Sequence, residues 1–94
     1  MNTTSATIDP ADALLADGLN WAALARCESG GRPNAVHGAF YGMYQFRLGT
    51  WRAVGGTGSP SAASASEQTY RAQLLYERSN WKTQWPTCGH YLFS

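Results

Sequence analysis

The sequence predicts a predominantly helical α+β fold, and three observations carry that expectation. Apolar residues recur at helical spacing over 20–28, and a capping box opens a longer helical stretch near residue 66. Between them, 30–46 is rich in Gly, Pro, Asn and aromatic residues, which suits a short extended piece or tight turn rather than a helix. Ninety-four residues make one domain, and a chain of that size buries only roughly 60 to 65% of its unfolded surface. Its aromatic load, with Trp21, Trp51, Trp81 and Trp85, supplies large buried areas at few positions.

In chain order, residues 1–8 are polar and small and read as a disordered leader, leaving 9–94 as the single domain. Asp9-Pro10 resembles a cap followed by proline at the first helical position, opening a short helix over 11–17 that Gly18 ends. The next helix, over 20–28, places Trp21, Leu24, Ala25 and Glu28 on one face at i, i+3, i+4 and i+7, with Asn20 as N-cap and Gly30-Gly31 as the stop. A third helix is expected over 47–54, ended by Gly55-Gly56, followed by a Gly-Ser-Pro-rich loop to Ala65. Ser64-Ala65-Ser66-Glu67 fits the S-x-x-E box and opens a helix over 66–80, whose Tyr70, Leu74 and Leu75, with Tyr76 alongside, read as a core stripe. The tail over 81–88 contains Pro86 and little periodicity, so Trp85 and Cys88 are expected to hold it down.

Composition excludes several classes. A net charge of +1 with no basic stripe between aromatics leaves nucleic-acid binding without an electrostatic footprint. No run reaches transmembrane length, and residues 1–12 lack the basic and apolar regions of a signal peptide. Cys27 and Cys88 either form a disulfide or remain buried thiols. A bridge across those 61 positions is worth roughly 4 kcal/mol on the chain-entropy model and implies an oxidising compartment. No C-x-x-C or Cys/His cluster suggests zinc, and neither metal nor cofactor is expected.

Glu28 is the candidate catalytic residue. Its carboxylate points where the apolar side chains of its helix point, in the last turn. Helix carbonyl ends and partial burial both disfavour the anion, which raises a carboxyl pKa and suits a general acid. Many Glu residues near helix ends are simply solvated, and spacing alone does not separate the two readings. The other carboxylates compete poorly: Asp9, Asp12 and Asp17 fall in the leader and first helix, Glu67 has a capping task, and Glu77 lies in a polar stretch. A second catalytic carboxylate is therefore not evident, unless folding brings Glu77 or Asp17 near. Ser29 has no well-placed histidine, since His37 falls in a loop and His90 in the tail.

Four blocks, in order, carry a family resemblance: Trp21-x-x-Leu24-Ala25-x-Cys27-Glu28-Ser29-Gly30-Gly31, then Tyr41-Gly42-x-x-Gln45-Phe46-x-x-x-Thr50-Trp51, then Gly55-Gly56 with Gly58-Ser59-Pro60, and Trp85-Pro86-x-Cys88. Over about 19–88 the chain resembles the catalytic domain of resuscitation-promoting factors, which are transglycosylase-like, lysozyme-related proteins. The resemblance implies a compact lysozyme-like fold with a minimal β-hairpin, a Cys27–Cys88 pair and Glu28 as catalytic acid. It implies a groove for peptidoglycan glycan strands, with Gln45 and Thr50 on sugar hydroxyl or acetamido groups, Tyr41 stacked on a sugar face and Asn80 as a further polar contact. Gln45 and Thr50 suit local turn and helix capping equally well. The chain departs from the family where Met43 and Tyr44 replace a glycine and an aliphatic residue, and where Arg32-Pro33 replaces Asn-Trp. These departures fall in the stretch expected to shape the groove. The implied activity is cleavage of the β-1,4 bond between N-acetylmuramic acid and N-acetylglucosamine by a monomer that is secreted or in the cell wall, or virion-associated if phage-encoded. A non-catalytic glycan-binding module is the competing reading, and a small disulfide-held interaction domain a third.

Overall fold

The computed structural model describes residues 18–94, so the expected leader over 1–8 and the short helix over 11–17 lie outside the described residues. Helix α1 (Trp21–Ser29) starts where Asn20 accepts the Ala23 amide at 3.0 Å. It stops where Gly30 and Gly31 adopt φ of 70° and 78° and return their amides to the carbonyls of Arg26 and Ala25. Its inward face buries Trp21, Leu24 and Ala25. A two-residue antiparallel ladder follows, β1 (Val36–His37) on β2 (Phe40–Tyr41), in the register Val36 to Tyr41 and His37 to Phe40. Tyr41 then exchanges both backbone hydrogen bonds with Phe46, at 2.8 and 2.9 Å, closing the turn over 42–45.

Helix α2 (Leu48–Ala53), a 3₁₀ turn (Pro60–Ala62), helix α3 (Ala65–Arg78), the single-turn helix α4 (Trp81–Gln84) and a closing 3₁₀ segment (Gly89–Phe93) complete the fold. The result is a predominantly helical α+β domain with a minimal β-hairpin, as expected. The Ser64 cap is present, its hydroxyl accepting the Glu67 amide at 3.1 Å. The Glu67 carboxylate turns to Arg71, whose Nη1 also donates to the Val54 carbonyl.

The buried face of α3 differs from the apolar stripe that its spacing suggests. Leu75 is buried, with Leu74 and Tyr76 packed at the core margin, but the remaining buried positions are Gln68, Thr69, Ala72 and Gln73, and Tyr70 stays half-buried. Gln68 and Thr69 are admitted because their groups are matched, whereas Gln73 donates to Glu77 and leaves its Oε1 without a partner among the described residues. Gln68 accepts the Met43 amide at 2.7 Å and donates to the carbonyls of Pro33 and Ala63, while Thr69 pairs with the Tyr44 hydroxyl at 2.8 Å. Gly42, at φ 85°, makes room for this, because a Cβ there would collide with Gln68 Oε1. One carboxamide thus ties three loops to a helix.

The core is aromatic. Trp21 makes edge contacts with Tyr44, Tyr76 and Trp85 at centroid separations of 5.9 to 6.1 Å, and Phe46 and Trp51 extend the cluster. Trp85 donates its indole N–H to the Tyr44 carbonyl at 3.1 Å, so the tail is held by burial and by a directional bond. Cys27 and Cys88 form a disulfide with their Cα atoms 5.8 Å apart. Reduction is expected to destabilise the domain by roughly 4 kcal/mol. Denaturant midpoints with and without reductant measure this, and equal midpoints would contradict it.

Candidate active site

Glu28 sits in the last turn of α1, one residue from the disulfide and two from the glycine stop. The helix end is closed by other groups. Ser29 Oγ donates to the Ala25 carbonyl at 3.1 Å and accepts the Arg32 amide, while Arg32 Nε donates to the Ser29 carbonyl at 2.9 Å. Arg32, one of the residues that depart from the family pattern, therefore supplies a side-chain donor to the carbonyl end of the helix, beyond the Gly30 cap. Ser29 is engaged with backbone, His37 with Gln45 and His90 with the Tyr91 ring, so no Ser/His nucleophile forms among the described residues.

The Glu28 side chain faces a depression of about 230 Å³, with Gln45 and Phe40 on one side and Gln84, Pro86 and Thr87 on the other. Burial pushes its carboxyl pKa up from the ordinary value. Phe40, Gln45, Gln84 and Pro86 also wall a second depression of about 220 Å³, which continues the first toward Arg47, Thr50 and Thr83. Together they form a groove between the hairpin and the tail, with Glu28 near one end.

Gln45 occupies the middle of that groove in an unusual state for a non-glycine residue, with φ of 54°. Its Nε2 donates to the Gly42 carbonyl at 3.0 Å, leaving Oε1 to accept from His37 Nδ1 at 2.9 Å. The side chain is thus fixed from both ends against the floor of the groove. Thr50 lines the far part of the groove and also a neighbouring shallow depression of about 500 Å³. Tyr41 lines that neighbouring depression with Arg47 and Leu48, and is not in the wall next to Glu28. Asn80 is exposed and caps α4, its Oδ1 accepting the Lys82 amide at 2.9 Å, away from the lining of either part of the groove. Tyr44 is only 2% exposed and works mainly as core, while Met43 packs on the core margin. Phe40, Gln84 and Thr87 are groove residues that spacing did not single out. The Trp85-Pro86-x-Cys88 block was the one signal pointing to that wall.

The family model described as a transglycosylase-like domain matches residues 15–88. The chain belongs to this family. Among characterised relatives, it is 44% identical over 84 residues to resuscitation-promoting factor Rpf of Micrococcus luteus, covering 88% of this chain and 36% of that protein. It is 46% identical over 72 residues to RpfE of Mycobacterium tuberculosis, covering 76% of this chain and 41% of the relative. To RpfC of the same species it is 41% identical over 88 residues, covering 93% of this chain and 62% of the relative. The chain therefore spans between about a third and three-fifths of the length of these relatives.

Within this transglycosylase-like domain, the other described carboxylates are engaged elsewhere. Glu67 pairs with Arg71 at 2.6 Å and Glu77 accepts from Gln73 at 3.0 Å, and neither lines the groove. Asp17 lies outside the described residues. Among the described residues the groove thus holds one carboxyl, half-buried and biased toward its protonated form. No group of three or more His, Cys, Asp and Glu residues suited to a metal occurs among them.

The raised pKa carries a stability cost with a definite sign. The folded protein keeps the Glu28 proton at pH values where the unfolded chain has released it. The contribution of Glu28 to stability is therefore fullest below about pH 4, near the unfolded carboxyl pKa, and is lost as pH rises through the folded value. Glu28→Gln, which does not titrate, is expected to be more stable than the parent at pH 7, with the gap closing on acidification below about pH 4. Melting curves of both proteins at pH 3.5 and 7 measure it, and a pH-independent gap would contradict it.

Proposed function

We propose that this domain is a muralytic glycosidase that cleaves the β-1,4 bond between N-acetylmuramic acid and N-acetylglucosamine, with Glu28 as general acid and then base. The observation that carries the reading is a half-buried carboxyl, the one among the described residues that lines the groove, in a chain of the transglycosylase-like family. Protonated Glu28 donates to the glycosidic oxygen as the C1–O bond breaks, leaving positive charge shared between C1 and the ring oxygen. The resulting carboxylate then takes a proton from the incoming nucleophile. Water as nucleophile gives hydrolysis, and the muramyl 6-hydroxyl gives a 1,6-anhydro sugar. With no partner carboxylate in the described groove, the neighbouring N-acetyl group is the natural stabiliser of the cation.

Gln45 and Thr50 are assigned to sugar hydroxyl or acetamido groups, with Gln45 held ready by its bonds to Gly42 and His37. Tyr41 and Asn80, which lie outside the walls of the groove, are assigned to sugar contacts beyond its ends. The disulfide fits work outside the cytoplasm at the cell wall. No helix of the described residues is long and apolar enough to cross a membrane. The chain is taken to act as a monomer without cofactor.

The absence of a second carboxylate from the described groove also suits a glycan-binding module, in which Glu28 only hydrogen-bonds the strand. Glu28→Gln separates the readings. It is expected to keep the fold and to lower release of soluble muropeptides from purified peptidoglycan by at least about 100-fold. Unchanged release would remove Glu28 from the mechanism, and wall-fragment binding with no products from the parent would favour the binding module. Because the acid form is the reactive one, the parent rate is expected to fall as pH rises through the elevated Glu28 pKa. Product masses distinguish hydrolysis from anhydro-sugar formation, which differ by one water.

A further inference from the structure

Arg47 is a cation in the groove with no ion-pair partner among the described residues. It lines both the far part of the groove and the adjoining depression, so it stands on the rim where the two meet, next to Thr50. Its guanidinium carbon lies 4.7 Å from the centroid of the Phe40 ring. That contact holds the guanidinium over the ring and leaves its N–H donors without a partner among the described residues. Arg47 is exposed and makes no side-chain hydrogen bond or ion pair with the described residues, among which Glu67–Arg71 is the ion pair that forms. Phe40 itself continues along the wall to the depression that holds Glu28. A cation is thereby held on the hairpin wall, at the other end of the groove from the candidate acid.

The surroundings explain why it points to a ligand. Among the described residues the groove carries no carboxylate besides Glu28, and they hold seven Lys and Arg against three Glu. Arg71 and Arg32 are occupied by Glu67 and by backbone carbonyls, whereas Arg47 is positioned by an aromatic ring and left unneutralised. A planar fork over a ring is suited to a carboxylate that arrives with a substrate.

We infer that Arg47 is a specificity site for a carboxylate on the side arm of the muramyl sugar, so that the groove selects glycans bearing that acid over neutral ones of the same length. This rests on the peptidoglycan reading of the groove. Two sources offer the same chemistry: the lactyl group itself, free in glycan stripped of peptide, and the carboxylates of the peptide stem.

The test uses the full chain carrying Glu28→Gln, so that strands bind without turnover, with and without R47Q and R47K. Dissociation constants are measured by calorimetry for peptide-stripped glycan, for the same glycan after its carboxyl groups are reduced to alcohols, and for peptide-bearing strands before and after the same reduction. The Glu28→Gln protein is expected to prefer the acid form over the reduced form on the order of fivefold, less at high salt. R47Q is expected to bring that ratio close to one, and R47K to retain part of it because the charge remains without the planar fork. Loss of the preference on stripped glycan assigns the lactyl group, and loss only on peptide-bearing strands assigns the stem. A preference that survives R47Q, or no preference in the Glu28→Gln protein, overturns the inference while leaving the peptidoglycan reading in place. Failure of every glycan to bind overturns both.

Discussion

The constraint on which the rest depends is the termination of α1. Two successive left-handed glycines, the Ser29 hydroxyl and the Arg32 side chain satisfy the carbonyl end of the helix, so Glu28 is not needed there and is not hydrogen-bonded into it. The disulfide at the preceding residue brings the tail across the same turn and takes water away from the carboxyl. A helix end that would ordinarily be solvated becomes one wall of a groove. A proton is then retained where a free carboxyl releases it.

The other wall is held with comparable care. The turn over 42–45 is fastened from below by Gln68, which matches the Met43 amide, and by Tyr44, whose ring, hydroxyl and carbonyl contact Trp21, Thr69 and Trp85. Trp85 in turn fixes the tail that carries Gln84, Pro86 and Thr87. Hairpin, tail and α1 therefore meet on one aromatic cluster, and rigid packing of that cluster keeps the groove walls in place. A desolvated carboxyl and a non-glycine residue at positive φ are both unfavourable locally. The aromatic core and the cross-link offset them.

Local signals made part of this legible in the sequence. Asn20 and the double glycine bracket α1, the S-x-x-E box marks the start of α3, and both depend on neighbours a few residues away. Tertiary satisfaction is not written in apolar spacing, which is why α3 buries Gln68 and Thr69 while Tyr70 stays half-buried. Helix α4 and the closing 3₁₀ segment are too short for a periodic pattern and exist because Trp85 and Cys88 hold the tail in place. The same holds at the site. Glu28 stands out because it interrupts an apolar face, and Gln45 and Thr50 through motif resemblance. Phe40, Gln84 and Thr87 acquire meaning only when hairpin and tail face each other.

The central claim is that folding holds the Glu28 carboxyl in a desolvated, proton-retaining state. A pH titration of its side-chain carbon resonance by NMR in the intact protein measures this directly. A midpoint clearly above about 4.3, the ordinary glutamate value, is the expected result. A midpoint at or below that value would contradict the account, because a solvated carboxylate at the end of α1 has no proton to give.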